Sequence, residues 1–162
     1  MGAVKIRPLE RSDEELLRVA TLGNMNWCGE RFSMAAVLDD PRIVHYTRLD
    51  PERGDFGFVM EEEAGPVGVV WALFLDGSGP GYGYLADETP EVSIWVSPDH
   101  RGGGKGRRLL RALLVECTRR GHPVVSLSVE DGNPARDLYA SEGFVAVPGR
   151  EKGGVMCWGG AR

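Results

Sequence analysis

No stretch of this chain reaches the ~18 consecutive apolar residues of a membrane span, and the opening MGAVKIRPLERSDEE turns charged at once, so neither a span nor a secretory leader is expected. Cysteine is scarce: Cys28, Cys117 and Cys157 are odd in number, far apart and without a CxxC pair. That excludes a disulfide framework and a cysteine-based zinc site, and points to free thiols in a reducing, cytoplasmic compartment. Excess positive charge is absent too. With a net charge of −5, general affinity for nucleic acid is not expected. The three histidines, His45, His100 and His122, are isolated, have no metal-ligand spacing and read as surface residues. No internal repeat, low-complexity tract or linker divides the chain. A single domain over residues 1–162, with its core at about 4–159, is expected, large enough to bury a core without staples.

What is present reads as an alternation of elements. Val4–Arg7 alternates apolar and basic residues as a short strand closed by Pro8. Ser12 to Glu15 has the spacing of a capping box, followed by Leu16, Leu17, Val19, Ala20 and Leu22 as the apolar side of a helix. Ser33–Leu38 is a second helix, ended by Asp39-Asp40-Pro41 because proline disfavours helix at the residue before it. Ile43–Thr47 reads equally as an extension or a turn. Phe56–Glu62 and Val67–Phe74 form a hairpin across Glu63–Pro66, and the Gly-rich Asp76–Tyr84 is a loop. Glu91–Val96 is a strand. Arg107–Arg120 is a helix carrying Leu109, Leu110, Leu113, Leu114 and Cys117 on one face, with Gly121 as its stop.

Val124–Val129 is a strand with Val125, Leu127 and Val129 on one face and Ser126 and Ser128 on the other. Pro134 stands at the start of a short helix, and Phe144–Val147 and Val155–Trp158 are two last strands. Strand, two helices, three strands, helix, strand, helix, two strands: this order predicts a mixed α/β fold. One twisted sheet of six or seven strands has about four helices on its two faces. A right-handed parallel crossover runs over 91–129, after an antiparallel hairpin.

The stretch EVSIWVSPDHRGGGKGR, Glu91 to Arg107, places a bare-backbone turn between a buried strand and a helix N-terminus. There the backbone N–H groups of Gly102 to Arg107 can face one concavity and the helix end adds favourable partial charge, as an anion requires. Arg101–Arg120 holds seven basic residues against one acid, a net of +6 that leaves −11 on the rest of the chain, which suits a small polyanion. A Walker P-loop fails on spacing and on Gly106 where Ser or Thr is needed, and GxGxxG fails at Arg107 and at Leu109. Arg101-Gly102-Gly103-Gly104-Lys105-Gly106 matches (R/Q)xxGx(G/A), and Asn133 to Phe144 matches N(x)₅Y(x)₃GF. The two motifs, one helix and one strand apart, closely resemble the GNAT superfamily of acetyl-CoA-dependent N-acetyltransferases.

The resemblance implies acetyl-CoA as cofactor and an amine as acceptor. Its pyrophosphate would lie on Gly102, Gly103, Gly104, Lys105, Gly106 and Arg107, mainly on backbone, with charge added by Arg101, Lys105 and Arg107 or Arg108. Pantetheine would run as a pseudo-strand along Ile94, Trp95 and Val96, between this strand and a splayed Val124–Val129. Asn133 would bond the pantetheine arm or cap the Pro134 helix, the Val96 N–H would meet the oxyanion, and Tyr139 would give a proton to the departing thiolate. The expected base is Glu91, acting directly or through a water chain, or else water itself. Ser128, where some branches of the family carry a glutamate, cannot serve. The acceptor would meet Asn26, Trp27, Tyr46, Trp71 and the GSGPGYGY loop; a small basic amine is preferred to a protein N-terminus or lysine. An acyl-CoA-binding regulatory module without turnover is the non-enzymatic alternative, and strand edges such as Val155–Trp158 would admit a homodimer.

Overall fold

The run Val67–Leu73, buried at every position, is apolar on both faces of a strand and therefore belongs at the centre of a sheet. In the computed structural model, which describes residues 2–159, it does. The strands are β1 (Lys5–Pro8), β2 (Phe56–Glu62), β3 (Gly65–Leu73), β4 (Glu91–Val96), β5 (Val124–Ser128), β6 (Val145–Ala146) and β7 (Val155–Gly159), and the sheet order is β1-β2-β3-β4-β5-β7-β6. Only β4 and β5 are parallel. The helices are α1 (Glu14–Met25), α2 (Met34–Asp39), α3 (Pro41–Val44), α4 (Lys105–Arg119) and α5 (Ala135–Ser141). The mixed α/β sheet with helices on both faces is thus as the sequence predicts, with one extra short helix. Pro41 does not only stop α2: it is the first residue of α3, where its missing N–H costs nothing, and Asp40 caps it through Arg42 N–H at 2.9 Å. Ile43–Thr47 resolves into the end of α3 and a 3-10 turn, His45–Thr47.

Two cores result, one on each face. On the first, Leu109, Leu110, Leu113, Leu114 and Cys117 of α4 pack on Val70, Val92, Val125 and Leu127 with Tyr139 of α5. Each such leucine contributes roughly 1.5–3 kcal/mol by leaving water. On the second, Leu17 and Ala20 of α1 pack with Tyr46, Val69 and Trp71. The inward arc of α1 is Leu17, Ala20 and Thr21, spaced i, i+3, i+4, which turns Val19 outward at 41% exposure, against expectation. The cap lies two residues earlier than the Ser12–Glu15 spacing suggests, with the Asp13 carboxylate accepting from Glu10 N–H at 2.8 Å.

The alternation of β4 sends Val92, Ile94 and Val96 to the α4 side and leaves Trp95 packed on the α1 side. β4 is paired with β3 along its full length but with β5 only at Glu91↔Ser126. Beyond that one bridge the two strands part, and the gap opens a cavity of about 720 Å³.

Candidate active site

One end of the cavity is the β4–α4 turn. None of the backbone N–H groups from Arg101 to Arg107 donates to an acceptor among the described residues, and Gly104 caps α4 without a side-chain bond. Gly102 (φ +85°) and Gly104 (φ +77°) take the left-handed conformation, which a side chain would strain although a Cβ at either would meet nothing within 4 Å. A row of unpaired amides at a helix N-terminus fits a pyrophosphate. Arg101 braces the turn by donating from Nε to the Val96 carbonyl at 2.9 Å. Lys105 Nζ stands 4.0 Å from a Glu62 oxygen and His100 Nε2 is 3.4 Å from the other.

The expected positive field is largely spent elsewhere. Arg107 turns away from the turn to donate to Glu142 and to Ser141 Oγ (2.9 Å), and Arg111 joins Glu142. Arg119 and Arg120 pair with Glu116, whose carboxyl these two guanidiniums pull down to about 2. Arg107 thus ties α4 to α5 while still lining the cavity.

Along the gap, Ile94 and Val96 offer backbone, whereas the backbone of Trp95, opposite Val69, faces β3. The Trp95 ring leans on α1 so closely that a Cβ at Gly23 would lie 2.3 Å from its Nε1. Asn133 accepts from Ala135 N–H at 3.0 Å through Oδ1, while its amide donors have no partner among the described residues. Tyr139 lies behind it, 8% exposed, its ring 5.9 Å from that of Phe144. Burial pushes its phenol pKa up, so it stays a hydrogen-bond donor across the working pH range.

At the other end Glu91, 4% exposed, accepts from the Tyr46 hydroxyl at 2.5 Å through Oε2, and its Oε1 is buried without a partner. Burial is the main cause that raises its carboxyl from the usual 4.5 to about 7, against the Tyr46 bond, the Gly83 backbone and the charge of Arg150. Tyr46, itself kept protonated mainly by burial, accepts from Tyr82 N–H at 2.8 Å. Trp71, fully buried, donates from its indole to the Tyr46 carbonyl at 3.0 Å. It is among the residues lining the cavity and supports Tyr46 through this bond. Asn26 is not among the lining residues: its amide bonds Arg31 N–H (3.0 Å), Phe32 N–H (2.9 Å) and the Phe32 carbonyl (2.9 Å), closing its own loop. Trp27 reaches the cavity and donates to Glu130 at 3.1 Å.

The Gly-rich loop is no free excursion. A Cβ at Gly81 would lie 2.0 Å from Glu91 Oε1, and one at Gly83 2.6 Å from the Leu127 carbonyl carbon. Arg150, from the β6–β7 connection, donates to the Tyr84 carbonyl at 3.0 Å and the Tyr82 carbonyl at 3.5 Å. Arg150, Gly81, Arg31 and Glu130 have no local sequence signal; each is 50 or more residues from a partner it meets, except Gly81, whose distance from Glu91 is short but whose contact depends on the loop's path. The histidines are also corrected. None is fully exposed, the Nε2 of His45 and Nδ1 of His100 are buried without a partner, and His122 packs 4.9 Å from the Phe74 ring. Among the described residues no cluster of metal ligands occurs and no helix is long and apolar enough to cross a membrane.

A sheet parted at its parallel pair, with free amides at one end of the gap and a buried carboxylate–phenol pair at the other, can hold an anion at one end and move a proton at the other. The chain belongs to the acetyltransferase (GNAT) family, whose pattern matches residues 22–144. It is 43% identical over 60 residues to the L-amino acid N-acyltransferase MnaT of Escherichia coli (strain K12), covering 36% of this chain and 35% of that protein. It is 38% identical over 68 residues to the L-methionine sulfoximine/L-methionine sulfone acetyltransferase of Salmonella typhimurium, covering 41% and 40%. The matched stretches thus span well under half the length of these relatives. Among solved structures, yncA from Salmonella typhimurium with its cofactor acetyl-CoA superposes with a TM-score of 0.61 at 26% identity, covering 90% of this chain and 81% of that one.

Proposed function

We propose that the chain is an N-acetyltransferase that moves the acetyl group of acetyl-CoA directly to the primary amine of a small, amino-acid-type acceptor. The observation that carries this reading is the pairing of a carboxyl raised to about 7, Glu91, with a row of free amides at the far end of one cavity. The names of the two curated relatives support the acceptor class. The bound thioester supplies an activated acyl carbon. Glu91 takes a proton from the acceptor amine, and Tyr46 holds its Oε2 so that the ionised form is stabilised. Because Gly81 covers Oε1, proton removal runs through a relay or follows a small lift of the loop. The Val96 N–H faces the developing oxyanion, the Asn133 amide orients the pantetheine arm, and Tyr139 donates to the departing sulfur.

Acetyl-CoA and CoA should raise the melting temperature, whereas ATP and NAD should not. With L-amino acids as acceptors, CoA thiol should be released. Stabilisation by CoA without release from any amine in a broad panel would instead identify an acyl-CoA-binding module, and release only with peptide N-termini or lysines would identify a protein acetyltransferase. Tyr139→Phe is expected to lower kcat roughly 10²-fold while acetyl-CoA affinity stays within about twofold. Unchanged kcat would remove Tyr139 from the proton path.

A further inference from the structure

We propose that Arg31 is the specificity-determining residue of the acceptor site, binding the α-carboxylate of an amino-acid acceptor, with Glu130 holding its place when no acceptor is bound. The proposal rests on the amine-acetylating reading above. The cavity's cations fall in two groups. His100, Arg101, Lys105 and Arg107 belong to the β4–α4 turn, and Arg31 is the one cation that lines the cavity from any other element among the described residues. An acceptor with a free carboxylate, entering at the end away from the thioester-binding turn, has no other fixed positive charge on the lining to meet.

Arg31 is built to be such a partner. The Asn26 amide closes the loop around it with three hydrogen bonds, two of them from the N–H groups of Arg31 and Phe32. The guanidinium is aimed by the Met25 carbonyl, which accepts from Nε at 3.1 Å and from Nη2 at 2.5 Å. Its outer fork already holds a carboxylate in the paired geometry that planar recognition uses: Nη1 to Glu130 Oε2 at 3.0 Å and Nη2 to Glu130 Oε1 at 2.9 Å. Of the five guanidinium N–H groups, one on Nη1 is left without a protein partner.

Glu130 is a replaceable occupant of that fork. The pair is exposed, with side chains 37% and 48% accessible, and an ion pair this open contributes little to the fold. Trp27 keeps a hold on Glu130 at 3.1 Å, so the carboxylate has a partner when the fork is taken. An α-amino acid carries one positive and one negative group a fixed short distance apart. Away from the β4–α4 turn, a lining that offers a carboxylate base, a second carboxylate and a single forked cation matches that pattern, and a simple amine or polyamine does not.

The test compares L-methionine sulfone with its α-carboxamide, which keeps the amine and side chain and loses only the carboxylate. The wild type should prefer the acid in kcat/KM. In Arg31→Gln the acid-to-amide ratio should collapse by roughly 30-fold or more, carried mainly by KM for the acid, and Arg31→Lys should restore part of it. Glu130→Gln breaks the same bridge without removing the cation and should keep or raise the ratio. Equal losses on both probes in Arg31→Gln, or a collapse of the ratio in Glu130→Gln as large as in Arg31→Gln, would show a structural tie and overturn the proposal. Acetylation of other amines but of neither probe would overturn it and leave acetyl transfer standing. No thiol release with any amine would overturn both.

Discussion

Glu91→Gln should lower kcat by roughly 10²-fold or more, abolish the acidic limb of the kcat–pH profile near pH 7, and make the protein more stable at pH 8. The three effects share one cause. Folding buries the Glu91 carboxyl and raises it from 4.5 to about 7, so it is half ionised near neutrality and can take a proton from an amine. The same shift opposes folding. Below the unfolded value both states are protonated and nothing is lost; between about 4.5 and 7 the unfolded chain ionises first and stability falls as pH rises; above 7 the full penalty stands. Glutamine stays neutral and keeps an acceptor for the Tyr46 hydroxyl. At pH 8 the variant is spared a penalty of at most roughly 3 kcal/mol, which should appear as a rise of several degrees in melting temperature. Thermal melts at pH 4.5 and pH 8 check the sign: the gain should be present only at the higher pH. Wild-type kcat in this variant would show that another group or bulk water removes the proton.

Gly83→Ala is expected to unseat the Gly-rich loop and move the acidic limb down by a unit or more, with kcat falling about tenfold. The added Cβ would meet backbone, the Leu127 carbonyl carbon at 2.6 Å and Ser128 N at 2.9 Å, which cannot rotate aside as a side chain can. The loop must then rise from β5. Lifting it breaks the Tyr82–Tyr46 and Arg150 bonds, uncovers Glu91 Oε1 and lets water reach the carboxylate. The lost contacts from Gly83 and Arg150 favoured the ionised form and their loss acts the other way. Burial is the largest cause of the raised value, though, so its relief sets the direction. A pH–rate profile is the measurement; a limb still at about 7 in a folded variant would show that the loop does not set the carboxyl's environment.

The α4 stripe, the hairpin, the strand at Glu91–Val96 and the two motifs could all be read directly, because helix and strand periodicity and turn chemistry act over a few residues. The burial of Glu91 could not. It depends on a loop folding back so that Gly81 meets Oε1 and on Tyr46 arriving from 45 residues away. The arginines divide in the same way. Pairing of Arg119 and Arg120 with Glu116 follows from their i, i+3 and i, i+4 spacing, whereas the turn of Arg107 to Glu142 follows only from α5 docking beside α4. Trp71 could be placed beside the cavity from sequence, but its bond to the Tyr46 carbonyl, 25 residues away, could not.

The order of elements and the amide turn were therefore legible in the chain, since each rests on near neighbours. The tertiary fold alone brings Tyr46 and Gly81 onto Glu91, Arg150 onto the loop, and Arg31 across 99 residues to Glu130. Those contacts join segments that meet only once the sheet has formed and β5 has parted from β4, and a parting of strands leaves no periodic mark on either one.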